Sequence, residues 1–197
     1  MKKNQHSLTS VFGVFIASIL ISNAANSQGV VAQRPILTPG DTFVYERGNN
    51  ADLTFKFIKR NDETLVFKMA TAYGAQEYYT NLDLATVGLE DGSTYKPNSG
   101  ILRFPLRVGA RWEQEYDVQK ASGNWASRVR SCEVKNYSSV TVPAGTFDAF
   151  FVECTNRAGS SDRTEHHYYA PKIGNRVLYK NLGSGTKWTL KEYASGK

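Results

Sequence analysis

The chain has 197 residues, 41% hydrophobic, 12% aromatic and 21% charged, with 24 Lys and Arg against 18 Asp and Glu for a formal net charge of +6. No Lys/Arg run of the kind that follows a phosphate backbone is present, so the modest positive excess is read as a solvated surface and no nucleic-acid partner is expected. Weak attraction to anionic envelope polymers is the most it implies.

Lys2 and Lys3 precede an uncharged apolar stretch from Val11 to Ile21 that ends in small and polar residues, the pattern of a secretory signal peptide. That stretch falls well short of the roughly 20 residues a membrane-spanning helix needs, so no transmembrane segment is expected. Small residues at the required offsets allow cleavage after Ala24, Ser27 or Ala32, and the region from Ala24 to Ser27 is preferred. The organisation read from this is a signal peptide over residues 1–27 (cleavage between 24 and 32), a flexible N-terminal segment over 28–40 and a single β domain over 41–197. Removal of Lys2 and Lys3 leaves 22 basic and 18 acidic side chains, a net charge of +4. The remainder is the size of one domain, able to bury roughly 70% of its unfolded surface. A lipid anchor would need a cysteine at the mature amino terminus, and the first cysteine is Cys132. A periplasmic or secreted location follows.

From residue 41 on, short strands alternate with turns. Leu53, Phe55 and Phe57 alternate with polar residues and share one strand face; after the Asn61-Asp62-Glu63 turn, Leu65, Phe67 and Met69 repeat the pattern, which predicts a hairpin with coincident apolar faces. Further strands are predicted over 42–47, 76–81, 86–90, 111–120, 125–137, 146–156, 164–170, 176–181 and 186–193. Asp91-Gly92, Ser122-Gly123-Asn124 and Gly183-Ser184-Gly185 supply turns between them. Only 82–87 invites a single helical turn. An antiparallel meander with no helices to cover it must curl on itself, so the fold class is all-β, a curved half-barrel or barrel.

In the hairpin turning at residues 122–124, a register with residue numbers summing to 245 sets Glu115 opposite Arg130 and Asp117 opposite Arg128 as cross-strand ion pairs, with Trp112, Tyr116 and Val118 on the core face. Such pairs are preferred over a cation-binding acidic patch, because hard-cation sites draw ligands from several directions. Cys132 and Cys154 flank VTVPAGTF, where Pro143 and Gly145 mark a tight turn and Gly145 permits a positive φ. The two cysteines are near-opposite across that hairpin, which predicts a disulfide and an oxidising compartment. No Cys-x-x-Cys spacing suggests a redox pair.

His166 and His167 point to opposite faces of a strand and cannot chelate one ion; Glu165 shares a face with His167, and both histidines are read as ordinary surface residues. Gly159-Ser160-Ser161-Asp162 is an exposed turn rather than a nucleophile elbow, and no phosphate-cradling loop occurs. No catalytic residues, metal ligands or cofactors are assigned, and the protein is expected not to be an enzyme.

The aromatic content stands out instead. Phe55, Phe57, Phe67, Trp112, Tyr116 and Trp188 are the candidate ligand-binding residues of a concave, aromatic-rich sheet. FPLRVGARW (104–112), VTVPAGTF (140–147) with DAFFVEC, and YYAPKIGNRV (168–177) together resemble the recurring motifs of a group of uncharacterised bacterial envelope proteins, many of them lipid-anchored. That resemblance covers 104–193 and implies a half-barrel similar to lipoprotein carriers, with no catalytic residues to carry over. This chain departs from the lipid-anchored members by lacking the amino-terminal cysteine. The expected function is a non-catalytic exported envelope protein that binds a lipid, another apolar ligand or a lipidated partner. The alternative is a structural protein with a filled core that contacts another envelope protein.

Overall fold

The computed structural model describes residues 29–48 and 50–197, and the predicted signal peptide lies outside them. In chain order the strands are β1 (Val31–Ala32), β2 (Thr42–Arg47), β3 (Asn50–Asn61), β4 (Thr64–Thr71), β5 (Gly74–Asn81), β6 (Thr86–Leu89), β7 (Thr94–Lys96), β8 (Leu106–Arg107), β9 (Arg111–Gln119), β10 (Trp125–Val142), β11 (Gly145–Ala158), β12 (Ser161–Ala170), β13 (Asn175–Asn181) and β14 (Lys187–Ala194). A short 3-10 turn, Pro171–Ile173, joins β12 to β13. Twelve of these strands form a closed antiparallel barrel in the order β10-β11-β12-β13-β14-β2-β3-β4-β5-β6-β7-β9, while β1 and β8 pair separately. Pairing of β14 with β2 and of β7 with β9 closes the sheet, which decides for the barrel over the half-barrel.

No helical turn forms over 82–87. The Asn81 side chain accepts hydrogen bonds from the amides of Asp83 and Ala85, and Leu84 takes a φ of 58°, so an Asx-type turn replaces it. Val142 pairs with Gly145 at the tip of the β10–β11 hairpin, where Gly145 has a φ of 127°. Gly145→Val is expected to cost more than about 1 kcal/mol, because valine strongly disfavours that backbone conformation. An unchanged urea midpoint would refute the assignment.

Alternate residues of each strand point inward, and most of the inward set is apolar: Phe43, Leu53, Phe55, Leu65, Phe67, Val134, Phe150, Val152, Tyr169, Val177 and Leu190 are all buried. The outer face carries charges, among them Lys56, Lys68, Glu113, Glu115 and Asp117. Among the described residues no helix is long and apolar enough to cross a membrane. An eight-stranded barrel is just filled by its own side chains, so twelve strands enclose more space than inward residues alone can occupy. Two devices take up the excess. Aromatic rings pack in pairs, as in Phe57 with Phe67 at 5.4 Å and Tyr137 with Phe150 at 4.5 Å. In addition, residues 97–105 dip against the inner wall formed by β9 to β12, where Ser99 and Leu102 are buried, the Trp112 indole donates to the Gly100 carbonyl at 2.9 Å, and Phe104 packs on Tyr169. Gly100 has no substitute there: its φ is 62°, and a Cβ would sit 2.5 Å from the Cβ of Gln114.

One end of the barrel is covered. Residues 29–40, expected as a flexible segment, are instead laid along the structure: β1 pairs with β8, Arg34 bridges Asp83 at 2.7 Å, and Pro35 and Leu37 close over Gly174. The carboxy terminus meets the same end, where the Gly196 amide donates to the buried Asp41 carboxylate at 2.8 Å.

Candidate functional site

At the opposite end a cavity of about 280 Å³ remains inside the barrel. Phe55, Met69, Leu89, Ile101 and Trp188 give it apolar walls, and Lys120, Tyr95 and Trp188 stand toward solvent at its rim. A smaller void beside it is bounded by Tyr45, Phe55, Phe67, Tyr78, Tyr179 and Trp188.

The floor of the cavity is charged. Arg130 of β10 and Glu165 of β12, both buried, pair at 2.9 Å, and the Arg130 guanidinium also donates to the Ser99 carbonyl of the inner loop and lies 5.5 Å from the Tyr116 ring. Oε2 of the same carboxylate is 3.5 Å from Nε2 of His167, an approach short of a well-formed hydrogen bond. On the other side of the imidazole, Arg176 of β13 places Nη1 3.4 Å from Nδ1. The Tyr45 hydroxyl fixes this strand by donating to the Arg176 carbonyl at 2.7 Å, and Tyr78 and Thr86 share a 2.6 Å hydrogen bond in the wall.

Burial pushes His167 down to about 4, aided by the Arg176 charge and opposed by Glu165. Burial alone would raise the Glu165 carboxyl, but the adjacent imidazole and the Arg130 and Arg176 charges outweigh it and hold the group at about 2. The floor therefore carries an ionised carboxylate and a neutral imidazole at neutral pH. Both folded values lie below those of the unfolded chain, so the unfolded state takes up protons first as the medium acidifies. Stability conferred by His167 is complete above about 6.5 and lost toward 4; that of Glu165 is complete above about 4.5 and lost toward 2. The urea midpoint is expected to fall between pH 7 and pH 5 in the wild type and to change much less in His167→Gln. Equal slopes in the two proteins would refute the buried, neutral state of His167.

Three findings correct the sequence reading. In the β9–β10 hairpin Val129, not Arg130, faces Glu115, and Ser127, not Arg128, faces Asp117, so residue numbers sum to 244. A one-residue slip exchanges the faces of a strand. Arg130 thus points inward to Glu165, while Asp117 accepts from Ser127 at 2.7 Å and Glu113 from Ser131 at 2.8 Å on the outside. Secondly, His167 is not a surface residue: it is 1% exposed and part of the floor. Thirdly, the six candidate aromatics do not form one group. Phe55, Phe67 and Trp188 meet at the cavity and its adjoining void; Tyr116 contacts the floor through Arg130 and stacks on Tyr95 of the rim. Phe57 lies at the covered end with Leu37, and Trp112 sits beneath the inner loop. The residues missed by sequence are Arg130, Glu165, His167 and Arg176.

Cys132 and Cys154 form a disulfide between directly opposite residues of β10 and β11, with Cα atoms 4.1 Å apart. It lies under residues 100 and 101 of the inner loop, in contact with their carbonyls, two residue pairs from Arg130.

No protein-family model matches the chain, and no curated protein does. Among solved structures, the hypothetical lipoprotein YmcC from Escherichia coli K12 aligns over 81% of this chain and 87% of its own, with a TM-score of 0.50 at 12% identity. The chain shares the fold of YmcC. A candidate lipoprotein from Parabacteroides distasonis (83% of this chain, 99% of that one, TM-score 0.46, 11% identity) and a candidate exported protein of YmcC-like fold from Bacteroides fragilis (83%, 100%, TM-score 0.43, 12% identity) are more distant in shape. At such identities the likeness to YmcC concerns backbone architecture and not the site.

Proposed function

We propose that the protein is a non-catalytic, exported component of the bacterial cell envelope, periplasmic or secreted, that holds an apolar ligand in the uncovered end of its barrel. The observation that carries this reading is the cavity of about 280 Å³ walled by Phe55, Met69, Leu89, Ile101 and Trp188, a size at the lower edge of small-molecule sites. A disulfide in the barrel wall supports an oxidising compartment. The YmcC fold and the 104–193 motifs support membership in the envelope group those motifs resemble. Of the six aromatics read from sequence, Phe55 and Trp188 belong to this binding site, Phe67 to the adjoining void, Tyr116 contacts the floor through Arg130, and Phe57 and Trp112 serve packing.

Protein purified from the periplasm of a bacterial host is expected to take up the neutral dye N-phenyl-1-naphthylamine with fluorescence enhancement, and Trp188→Ala to weaken that uptake. Absence of dye binding, together with no co-purifying lipid in native mass spectra, would overturn the carrier reading in favour of a structural protein.

A further inference from the structure

The charges on the cavity floor do not balance. Arg130 and Glu165 pair with each other, yet Nε of Arg130 has no hydrogen-bond partner although its side chain is 5% exposed. Arg176 borders both the cavity and the adjoining void. Among the described residues no carboxylate lies within ion-pair distance of its guanidinium, whose only side-chain partner is the His167 ring at 3.4 Å. Two guanidinium groups thus face one carboxylate, and Lys120 adds a further positive charge at the rim.

Phe55, Leu89 and Trp188 present apolar surface beside these cations, where an uncompensated charge is costly and an incoming anion is correspondingly attracted. A guanidinium matches the geometry of a carboxylate with two parallel hydrogen bonds, and Arg176 has Nε and Nη2 free to make them among the described residues. A volume of about 280 Å³ accommodates a single chain and not a two-chain lipid.

We propose that the ligand is a single-chain amphiphilic carboxylate, its head group paired with Arg176 inside the barrel and its apolar tail directed past Trp188 toward the mouth. This rests on the reading of the cavity as an apolar-ligand site and adds the charge of the ligand to it. The head group enters as the anion; no bond is made or broken.

Calorimetric titration with decanoate and with decan-1-ol separates the two claims. Decanoate is expected to bind the wild type at least about tenfold more tightly than the alcohol. Arg176→Met is expected to abolish that preference by weakening decanoate to the level of the alcohol, and Arg176→Lys to retain part of it. Equal affinities in the wild type would overturn the anionic head group and leave the apolar site standing. Binding of neither compound would overturn both. A preference that persists in folded Arg176→Met would overturn the assignment to Arg176; should that variant not fold, the wild-type comparison decides the charge preference and Arg176→Lys the residue.

Discussion

Glu165→Ala is expected to lower the unfolding free energy by about 3–5 kcal/mol, the largest effect of any single substitution considered for this protein. The cost does not measure the worth of the ion pair, since pairing two charges out of water is close to neutral against a well-packed apolar pair. It arises because Arg130 would remain with a guanidinium that is 5% exposed and no carboxylate to face it. Arg130→Met combined with Glu165→Leu removes both charges, and this double variant is expected to recover most of the loss. Urea unfolding at pH 7 measures each step. A Glu165→Ala midpoint corresponding to less than about 1 kcal/mol would show that water or another group reaches Arg130 and that the floor is not desolvated.

Loss of the disulfide comes second. Cys132 and Cys154 are separated by 22 positions and close a loop whose entropy in the unfolded chain corresponds to roughly 3 kcal/mol. The Cys132→Ala, Cys154→Ala variant is therefore expected to melt about 6–12 °C lower than the oxidised protein. Reductant should lower the wild-type midpoint and leave the variant unaffected. Titration of denatured, non-reduced protein should find no free thiol. Two titratable thiols in protein from an oxidising compartment would show that the bond does not form there.

The strands were legible because period-two alternation and turn chemistry are local. Thr42–Arg47 coincides with its predicted limits, and the hairpins at Asn61, Ser122–Asn124 and Pro143–Ala144 turn where Gly, Asn, Asp and Pro cluster. The inner loop over 97–105 was not legible, because Ser99, Gly100 and Leu102 carry no periodic signal and are buried only by the wall that surrounds them. The short pairing of β1 with β8 escaped for the same reason.

The site was hidden by parity. β12 reads Glu165, His167, Tyr169 on one face and Thr164, His166, Tyr168 on the other, and neither set is more apolar than its counterpart. One clue could have separated them. A register summing to 245 places Cys132 opposite Glu113, whereas 244 places it opposite Trp112. A disulfide belongs with the core aromatic, so Cys132 facing inward brings Arg130 in beside it, and Cys154 opposite Glu165 carries the inward face on to His167.

By itself, then, the amino-acid sequence determined the antiparallel all-β character, the positions of most strands and the pairing of the two cysteines, because each depends on residues near in the chain or on one hairpin. Closure of twelve strands, burial of Ser99, Gly100 and Leu102 and convergence of Arg130, Glu165, His167 and Arg176 on one floor were decided by tertiary structure alone. The physical reason is register: each strand's inward face is set relative to its neighbour, and a single-residue slip anywhere moves every charged side chain on that strand from the cavity to the solvent.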